Sequence, residues 1–424
     1  MLSYEIGMMK NSNSSILVGI DMGSQTFRAM AAEKQPDGTL RVLGVEESSL
    51  KRCVQHGVVE STGDAGYMLS NIFRLLCNRV GMELSPSVFL CAGGKTMKVV
   101  PVCSSRDLVH KRGVDADLLA KMDAECRHKI EAKNQEVGIL DLIPTYYKLD
   151  GVEYEDTPSA NQLATFVEAH YNAFVGRKEL SEKIYKSFQQ ATLDLEKMYV
   201  RPEALMNALA HDVMEQGCAV LDLGAQTTTL TIYKGNEYLY NQVVPMGGLD
   251  ITERIMELGV TMMQAERLKC GYGVAAAHMV KAKRQYSMTG TTGEKVSISS
   301  DQLANTISAQ LDEILAPLME ALNKETHPLK VLYVTGGGAM LQGVVEYIQS
   351  KTPLPTMFGS HAGWLSDDTP DEYCQPQYAS LVGTLLLAAE YRKAHPMVQT
   401  YKKNKPIIEE AKNMILDLFS RTDY

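Results

Sequence analysis

The chain has 424 residues, a net charge of −9 and eight scattered cysteines with no Cys-x-x-Cys pair. With a pI near 5.6 it lacks the basic face on which duplex binding rests, which excludes nucleic acid as the main partner. No apolar run approaches the roughly 18 residues of a membrane span, no opening basic-then-apolar segment directs export, and the isolated thiols read as reduced, so a cytosolic protein of two to four domains is expected.

In chain order, residues 1–14 show no periodicity, end in Asn-Ser-Asn-Ser-Ser and read as a loose tail. Residues 16–20 form a strand pattern, Asp21 follows, Gly23, Ser24, Gln25 and Thr26 make a turn, and a second strand begins at Phe27. Pro36-Asp37-Gly38 is the turn of a further hairpin. Residues 64–80 carry Met68, Ile72, Leu75 and Leu76 at helical spacing. From residue 85 the pattern changes: 88–90, 97–102, 137–147 and 163–174 are strand-like and 115–132 is helical, an α+β unit inserted over 85–178. Residues 179–198 (Leu180, Ile184, Phe188, Thr192, Leu195) read as a helix. Pro202 opens another that runs through 204–214 and carries Asn207.

The segment 218–233 repeats the design of 16–30. An apolar strand ends in Asp222, the small and hydroxylic turn Gly224, Ala225, Gln226, Thr227 and Thr228 follows, and 230–233 resumes as strand. Two strand-Asp-x-Gly-small turns suit a nucleotide gripped from both sides. Their amides and hydroxyls donate to phosphate oxygens, and each aspartate can hold a hydrated divalent cation. Gly247 and Gly248 lead into a helix over 249–258, whose N-terminal amides would lie near an anion. Glu266 and Lys269 stand three apart on one helix face, a spacing that also suits a plain ion pair. A polar region over 275–314 contains Lys281, Lys283, Arg284 and Lys295, and a strand over 331–335 runs into Gly336-Gly337-Gly338-Ala339-Met340. After a polar connector over 395–406, Ile407, Ile408, Ala411, Met414, Ile415, Leu418 and Phe419 form one continuous helical face with a mixed-charge opposite face.

The paired turns and the third glycine turn resemble the actin, sugar-kinase and chaperone ATPase superfamily. Within it, Lys51-Arg-Cys-Val-Gln-His-Gly-Val-Val-Glu60, Val243-Val-Pro-Met-Gly-Gly-Leu-Asp-Ile-Thr252, Ala265-Glu-Arg-Leu-Lys-Cys-Gly271 and the stretch 375–387 are similar to the FtsA family of cell-division actins. The resemblance implies an α/β, actin-like fold, with duplicated mixed β-sheet domains around a nucleotide cleft, an inserted α+β subdomain 1C and a C-terminal amphipathic helix. It divides the chain into a tail (1–14), subdomain 1A (15–84 and 179–216), 1C (85–178), 2A (217–252 and 329–390, with a closing helix), 2B (253–328), a linker (391–406) and the amphipathic helix (407–424).

It also implies ATP held by Asp21, Gly23, Ser24, Gln25, Thr26, Asp222, Gly224, Ala225, Gln226, Thr227 and Thr228, with Mg²⁺ bound through water by Asp21 and Asp222. Arg28 falls at the offset of a phosphate-binding lysine, an alternative to a solvent-facing strand residue. Gly247 and Gly248 lie at the nucleotide, Glu266 and Lys269 at the ribose and adenine, and Gly336, Gly337, Gly338 and Met340 at the adenosine. Asn207 is the candidate for orienting a water, against a solvent-facing helix residue. An amide is no strong base, so hydrolysis would be slow or absent. The expected partners are the C-terminal tail of FtsZ on 2B, further copies of the chain in a filament, and the inner membrane surface at the division site through 407–419. A small-molecule kinase of this fold would need a cleft carboxylate as base, for which the His211-Asp212 dyad falls late on its helix; a pilus-assembly actin is a third reading.

Overall fold

The computed structural model describes residues 16–49, 53–134, 136–209 and 213–395. The chain divides after Ala389 into a large unit and a short one that begins at Glu390. The apolar stripe at 407–419 and the His211-Asp212 dyad lie outside the described residues.

Two five-stranded sheets with one and the same topology frame the large unit. In the first, β1 (Ile16–Met22), β2 (Thr26–Lys34) and β3 (Leu40–Ser49) form an antiparallel meander, and β6 (Ser87–Ala92) and β11 (Asp194–Val200) add in parallel on the other side of β1, giving the order β11-β6-β1-β2-β3. In the second, the meander is β12 (Cys218–Leu223), β13 (Thr228–Lys234) and β14 (Glu237–Val244), and the parallel strands are β17 (Leu332–Thr335) and β18 (Thr356–Phe358), giving β14-β13-β12-β17-β18. Each chain of connections therefore places its first strand at the centre with an aspartate at its C-terminal end. Asp21 faces Arg28 across the first hairpin and Asp222 faces Thr229 across the second. Central strands covered on both faces read as near-continuous apolar runs, which is why Leu17, Val18, Ile20, Ala219, Val220 and Leu221 are buried without alternation.

Helices cover the sheets by apolar stripes. A short pair, β4 (Val54–Gln55) and β5 (Val58–Val59), leads to α1 (Thr62–Val80), which starts where the Ser61 hydroxyl accepts from the Asp64 amide and stops at Gly81, whose φ is 75°. Met68, Leu69, Ile72 and Leu76 are its buried stripe, and each such side chain contributes about 1.5–3 kcal/mol of burial. The inserted unit comprises β7 (Lys98–Gly113), α2 (Ala116–Lys133), β8 (Val137–Leu149), β9 (Val152–Tyr154) and β10 (Leu163–Arg177), its strands ordered β7-β10-β8-β9. Leu118, Met122, Cys126 and Ile130 of α2 share a core with Val167, Ala169 and Tyr171 of β10.

The first sheet extends further into the chain than the sequence pattern indicates. Residues 87–92, assigned above to the insertion, are β6 and pair with β1. The expected helix over 179–198 is α3 (Lys178–Gln190) alone; the chain reverses at Thr192, whose φ is +57°, and continues as β11. Leu195 fitted the helical spacing by chance, while the Met198-Tyr199-Val200 run is the buried half of a parallel strand. Described residues of the next helix, α4, cover Arg201–Leu209 rather than continuing to 214.

In the second lobe α5 (Gly248–Met256) and α6 (Met262–Tyr272) precede a hairpin of β15 (Gln285–Thr289) and β16 (Lys295–Ser299). The polar region expected over 275–314 thus contains this hairpin and more than half of α7 (Ser300–Asn323). Basic residues cluster before residue 300, whereas Leu303, Ile307, Leu311, Ile314, Leu318 and Leu322 repeat at three and four residues and are buried. Lys283 is paired with Asp301 at 2.7 Å. The helices α8 (Val344–Gln349) and α9 (Ala379–Ala394) follow.

One core crosses from lobe to lobe behind the central strands. Cys218, Val220 and Tyr233 of the second sheet are continuous with Ile20 of the first and with Leu205 and Leu209 of α4, and the Tyr233 hydroxyl donates to the Pro202 carbonyl at 2.8 Å. The two sheets are therefore welded at their base, and the turns following β1 and β12 open toward a common space.

Candidate functional site: a cleft between duplicated turns

That space is a cavity of about 400 Å³ lined from both lobes. The turns at its floor are copies of one another in detail as well as in topology. Both read Asp-x-Gly-x-Gln-Thr, and a Cβ on Gly23 would meet the Thr26 carbonyl oxygen at 2.7 Å just as one on Gly224 would meet that of Thr227 at 2.7 Å. The glutamine and threonine at matching places were a sequence signal of the duplication beyond the Asp-x-Gly pair.

From the first turn, Asp21, Gly23, Ser24, Gln25, Thr26 and Arg28 line the cavity; from the second, Asp222, Gly224, Ala225 and Thr227. Gly248, Glu266, Lys269, Gly336, Gly337, Gly338 and Met340 also line it. Four expected residues do not: Asn207, Gln226, Thr228 and Gly247.

Each of the four has a local reason. Gln226 turns its side chain away from the cavity and toward the other lobe, where its Oε1 accepts from the His56 amide at 3.0 Å and its carbonyl meets His56 Nδ1 at 2.9 Å. His56 adopts φ +49° to reach it. Thr228 is buried and donates to the Met246 carbonyl at 2.9 Å. Gly247 packs so tightly on the second turn that a Cβ would lie 2.4 Å from the Gly224 oxygen.

Nor do the first amides of α5 face the cavity as expected. Those of Gly248 and Leu249 donate to Gly224 and Ala225 carbonyls at 2.9 and 2.7 Å, and that of Gly247 to the Asp250 carboxylate at 2.6 Å. This helix end braces the second turn from behind instead of offering free donors. Asn207, finally, donates to the Glu203 carbonyl at 3.0 Å, back along its own helix. The cavity-lining positions of α4 are Arg201 and Leu205, one turn apart, and Asn207 is off that face.

Arg201 is the principal site residue that the sequence pattern missed. Its Nη1 donates to Asp21 Oδ2 at 3.0 Å and to the Ser380 hydroxyl at 3.1 Å, its Nη2 to Asp21 Oδ1 at 2.5 Å, and its Nε lies 3.7 Å from Asp222 Oδ2. Ser380 donates in turn to Asp21 Oδ2 at 3.1 Å. Burial pushes the Asp21 carboxyl up, but the guanidinium charge and its hydrogen bonds, with Arg28 and Ser380, hold it below the ordinary carboxylate range. Asp222 shifts the other way: burial raises it, and Arg201 only partly offsets that.

A hydrated divalent ion between these two carboxylates was the sequence expectation. Both oxygens of Asp21 are taken by Arg201 and Ser380, and the guanidinium stands between Asp21 and Asp222, so the residues present do not fit a metal shared by the pair. Among the described residues no cluster of three His, Cys, Asp or Glu could ligate a metal directly.

The remaining charged side chains of the cavity are equally committed. Arg28 pairs with Glu47 at 2.6 Å, with its guanidinium 5.8 Å from the Tyr378 ring. Lys269 spends its three donors on the Gly248 carbonyl, the Thr252 hydroxyl and Glu266, at 2.7, 2.7 and 2.8 Å. Glu266 is therefore both an ion-pair member and a cavity carboxylate. Burial raises it, and Lys269, Thr252 and Cys270 together hold it below its ordinary range. Gly336 holds φ +85°, and a Cβ there would strike Asp222 Oδ1 at 2.3 Å, whereas one on Gly337 would meet nothing within 4 Å. The glycine turn thus presents bare backbone to the cavity and can accept a flat, bulky group there.

Comparison with known proteins matches residues 219–383 to the family model described as "Cell division protein FtsA". The protein of that name from Bacillus subtilis (strain 168) is 24% identical over 418 residues, covering 94% of this chain and 89% of its own. Among solved structures, the PilM-PilN type IV pilus biogenesis complex gives a TM-score of 0.65 at 17% identity, covering 88% of this chain and 98% of its own. MreB5 of Spiroplasma citri bound to ADP gives 0.55 at 13%, covering 90% and 98%. At these identities the structures establish the fold, which is that of the actin-like proteins.

Proposed function

This chain is an actin-like protein similar to the cell-division protein FtsA along almost its whole length, and on that premise we propose that it binds ATP in the cleft and serves as a membrane-bound adaptor of the division machinery. The observation that carries the nucleotide reading is the pair of matching turns opening on one cavity, with the Gly336-Gly337-Gly338 backbone bare at its far side. In this reading Gly23, Ser24, Gln25, Thr26, Gly224, Ala225 and Thr227 hold the phosphates, Glu266 receives ribose hydroxyls on the oxygen that Lys269 leaves free, and Gly337 and Met340 floor the base. Mg²⁺ accompanies the nucleotide without being shared between Asp21 and Asp222.

Turnover is slow or absent in this reading, since the residues of α4 that line the cavity, Arg201 and Leu205, include no base. The adaptor half has copies of the chain polymerising, 2B receiving the acidic C-terminal tail of FtsZ, and 407–419 lying on the inner membrane face at the division site. A titration calorimetry experiment with ATP tests the nucleotide half. Saturable binding that Gly337→Leu weakens is expected, and no heat at any concentration would overturn it. Pull-down on immobilised FtsZ tail peptide tests the adaptor half, and failure to retain the full chain would overturn it.

A further inference from the structure

The cleft carries its own cation. Arg201 spreads over both aspartates, with three hydrogen bonds to Asp21 and Ser380 and its Nε 3.7 Å from Asp222. It also lines the cavity. A guanidinium offers five N–H groups: three are used in these hydrogen bonds and that of Nε faces Asp222, which leaves one on Nη2. The neighbouring cations are spent elsewhere, Arg28 on Glu47 and Lys269 on Gly248, Thr252 and Glu266. Gly93 permits the placement, because a Cβ there would press on Arg201 Nε at 3.3 Å.

We propose that Arg201 is the resident counter-cation of the nucleotide site, holding Asp21 and Asp222 where a divalent ion would otherwise be shared, and offering its remaining Nη2 N–H to the phosphates, so that ATP binding in this chain depends little on Mg²⁺. The inference rests on the reading of the cavity as a nucleotide site. Its logic is competition for the same two carboxylates. A planar fork bonded to both oxygens of Asp21 is fixed in position by geometry, and it cannot be deprotonated to make way for a metal. Removing the fork's charge leaves two buried carboxylates without a cation, a pair that a divalent ion can neutralise, so the loss of Arg201 should convert a metal-indifferent site into a metal-dependent one.

The test is equilibrium binding of ATP by the full chain in EDTA and in excess Mg²⁺, for the wild type, Arg201→Gln and Arg201→Lys. The wild type is expected to bind with affinities that agree within about threefold in the two conditions. Arg201→Gln is expected to bind at least about tenfold more weakly in EDTA and to recover in Mg²⁺. A second readout needs no nucleotide: Mn²⁺ retained by the protein, followed by its paramagnetic resonance signal, should appear in Arg201→Gln and not in the wild type. Should Arg201→Gln fail to fold, Arg201→Lys and the wild-type comparison decide. If EDTA weakens wild-type binding by about tenfold or more, the inference is overturned while the nucleotide reading stands. If neither condition gives binding, both fall.

Discussion

Adjacent glycines of the third turn should answer substitution in opposite ways. Gly336 sits at φ +85° and ψ 173°, a region that only glycine visits readily, and an added Cβ would lie 2.3 Å from Asp222 Oδ1 and 2.6 Å from the Leu223 oxygen. The backbone conformation alone costs a non-glycine residue about 1–3 kcal/mol, and forcing the Asp222 side chain and the β12 backbone apart adds about 1–3 kcal/mol more. At about 1–2 °C per kcal/mol for a unit of this size, Gly336→Ala should melt at least about 2 °C below wild type by circular dichroism. Gly337, one residue on, has open space where its Cβ would be. Gly337→Leu should therefore melt with the wild type, yet weaken ATP about tenfold or more in titration calorimetry by filling the nucleoside's place. A Gly336→Ala variant as stable as wild type, or a Gly337→Leu variant that binds ATP normally, would refute the reasoning.

Two further predictions concern regions away from the turns. Glu203 on α4 is buried beside Asp141 of β8; burial, then the Asp141 charge and a hydrogen bond with Asp141, raise the Glu203 carboxyl well above its ordinary range, against Lys197. A carboxyl raised on folding gives its full stability below its unfolded value near 4.5 and loses it as pH climbs toward the folded value, so Glu203→Gln should come nearest wild type at about pH 4, melt higher at about pH 8 and flatten the profile between; parallel profiles would contradict this. In the stripe at 407–419, Ile415→Glu should cost about 2–3 kcal/mol of lipid insertion and abolish vesicle pelleting without moving the melting temperature; a melting temperature that falls instead would show that the stripe packs on protein.

Much of the cleft was legible because its requirements are local. A turn that must expose amides has to be small, and the Asp-x-Gly repeat at 21–23 and 222–224 states that twice. Glycines at 336–338 follow from the same need. Long-range partnerships were not legible. Arg201 lies 180 residues from Asp21 and reads in sequence as an ordinary residue before a helix-opening proline. Only the parallel pairing of β11 through β6 to β1 brings the two together.

Asn207 failed for a complementary reason. Its chemistry suited the role, but helical periodicity gave the cavity face to Arg201 and Leu205. Likewise the amides opening α5 looked available to an anion until the fold supplied the Gly224 and Ala225 carbonyls as their partners. The strand at 194–200 was hidden because Leu195 fits a helical and an extended period equally well, and only the reversal at Thr192 separates them.

The adaptor reading is tested most directly by co-sedimentation of the purified full chain with vesicles containing anionic lipid, with and without ATP, in the presence of a labelled FtsZ C-terminal tail peptide. The protein should pellet with the vesicles and carry the peptide down with it, and vesicles alone should leave the peptide in the supernatant. A chain that stays soluble in every condition, or one that pellets while the peptide does not, would contradict it.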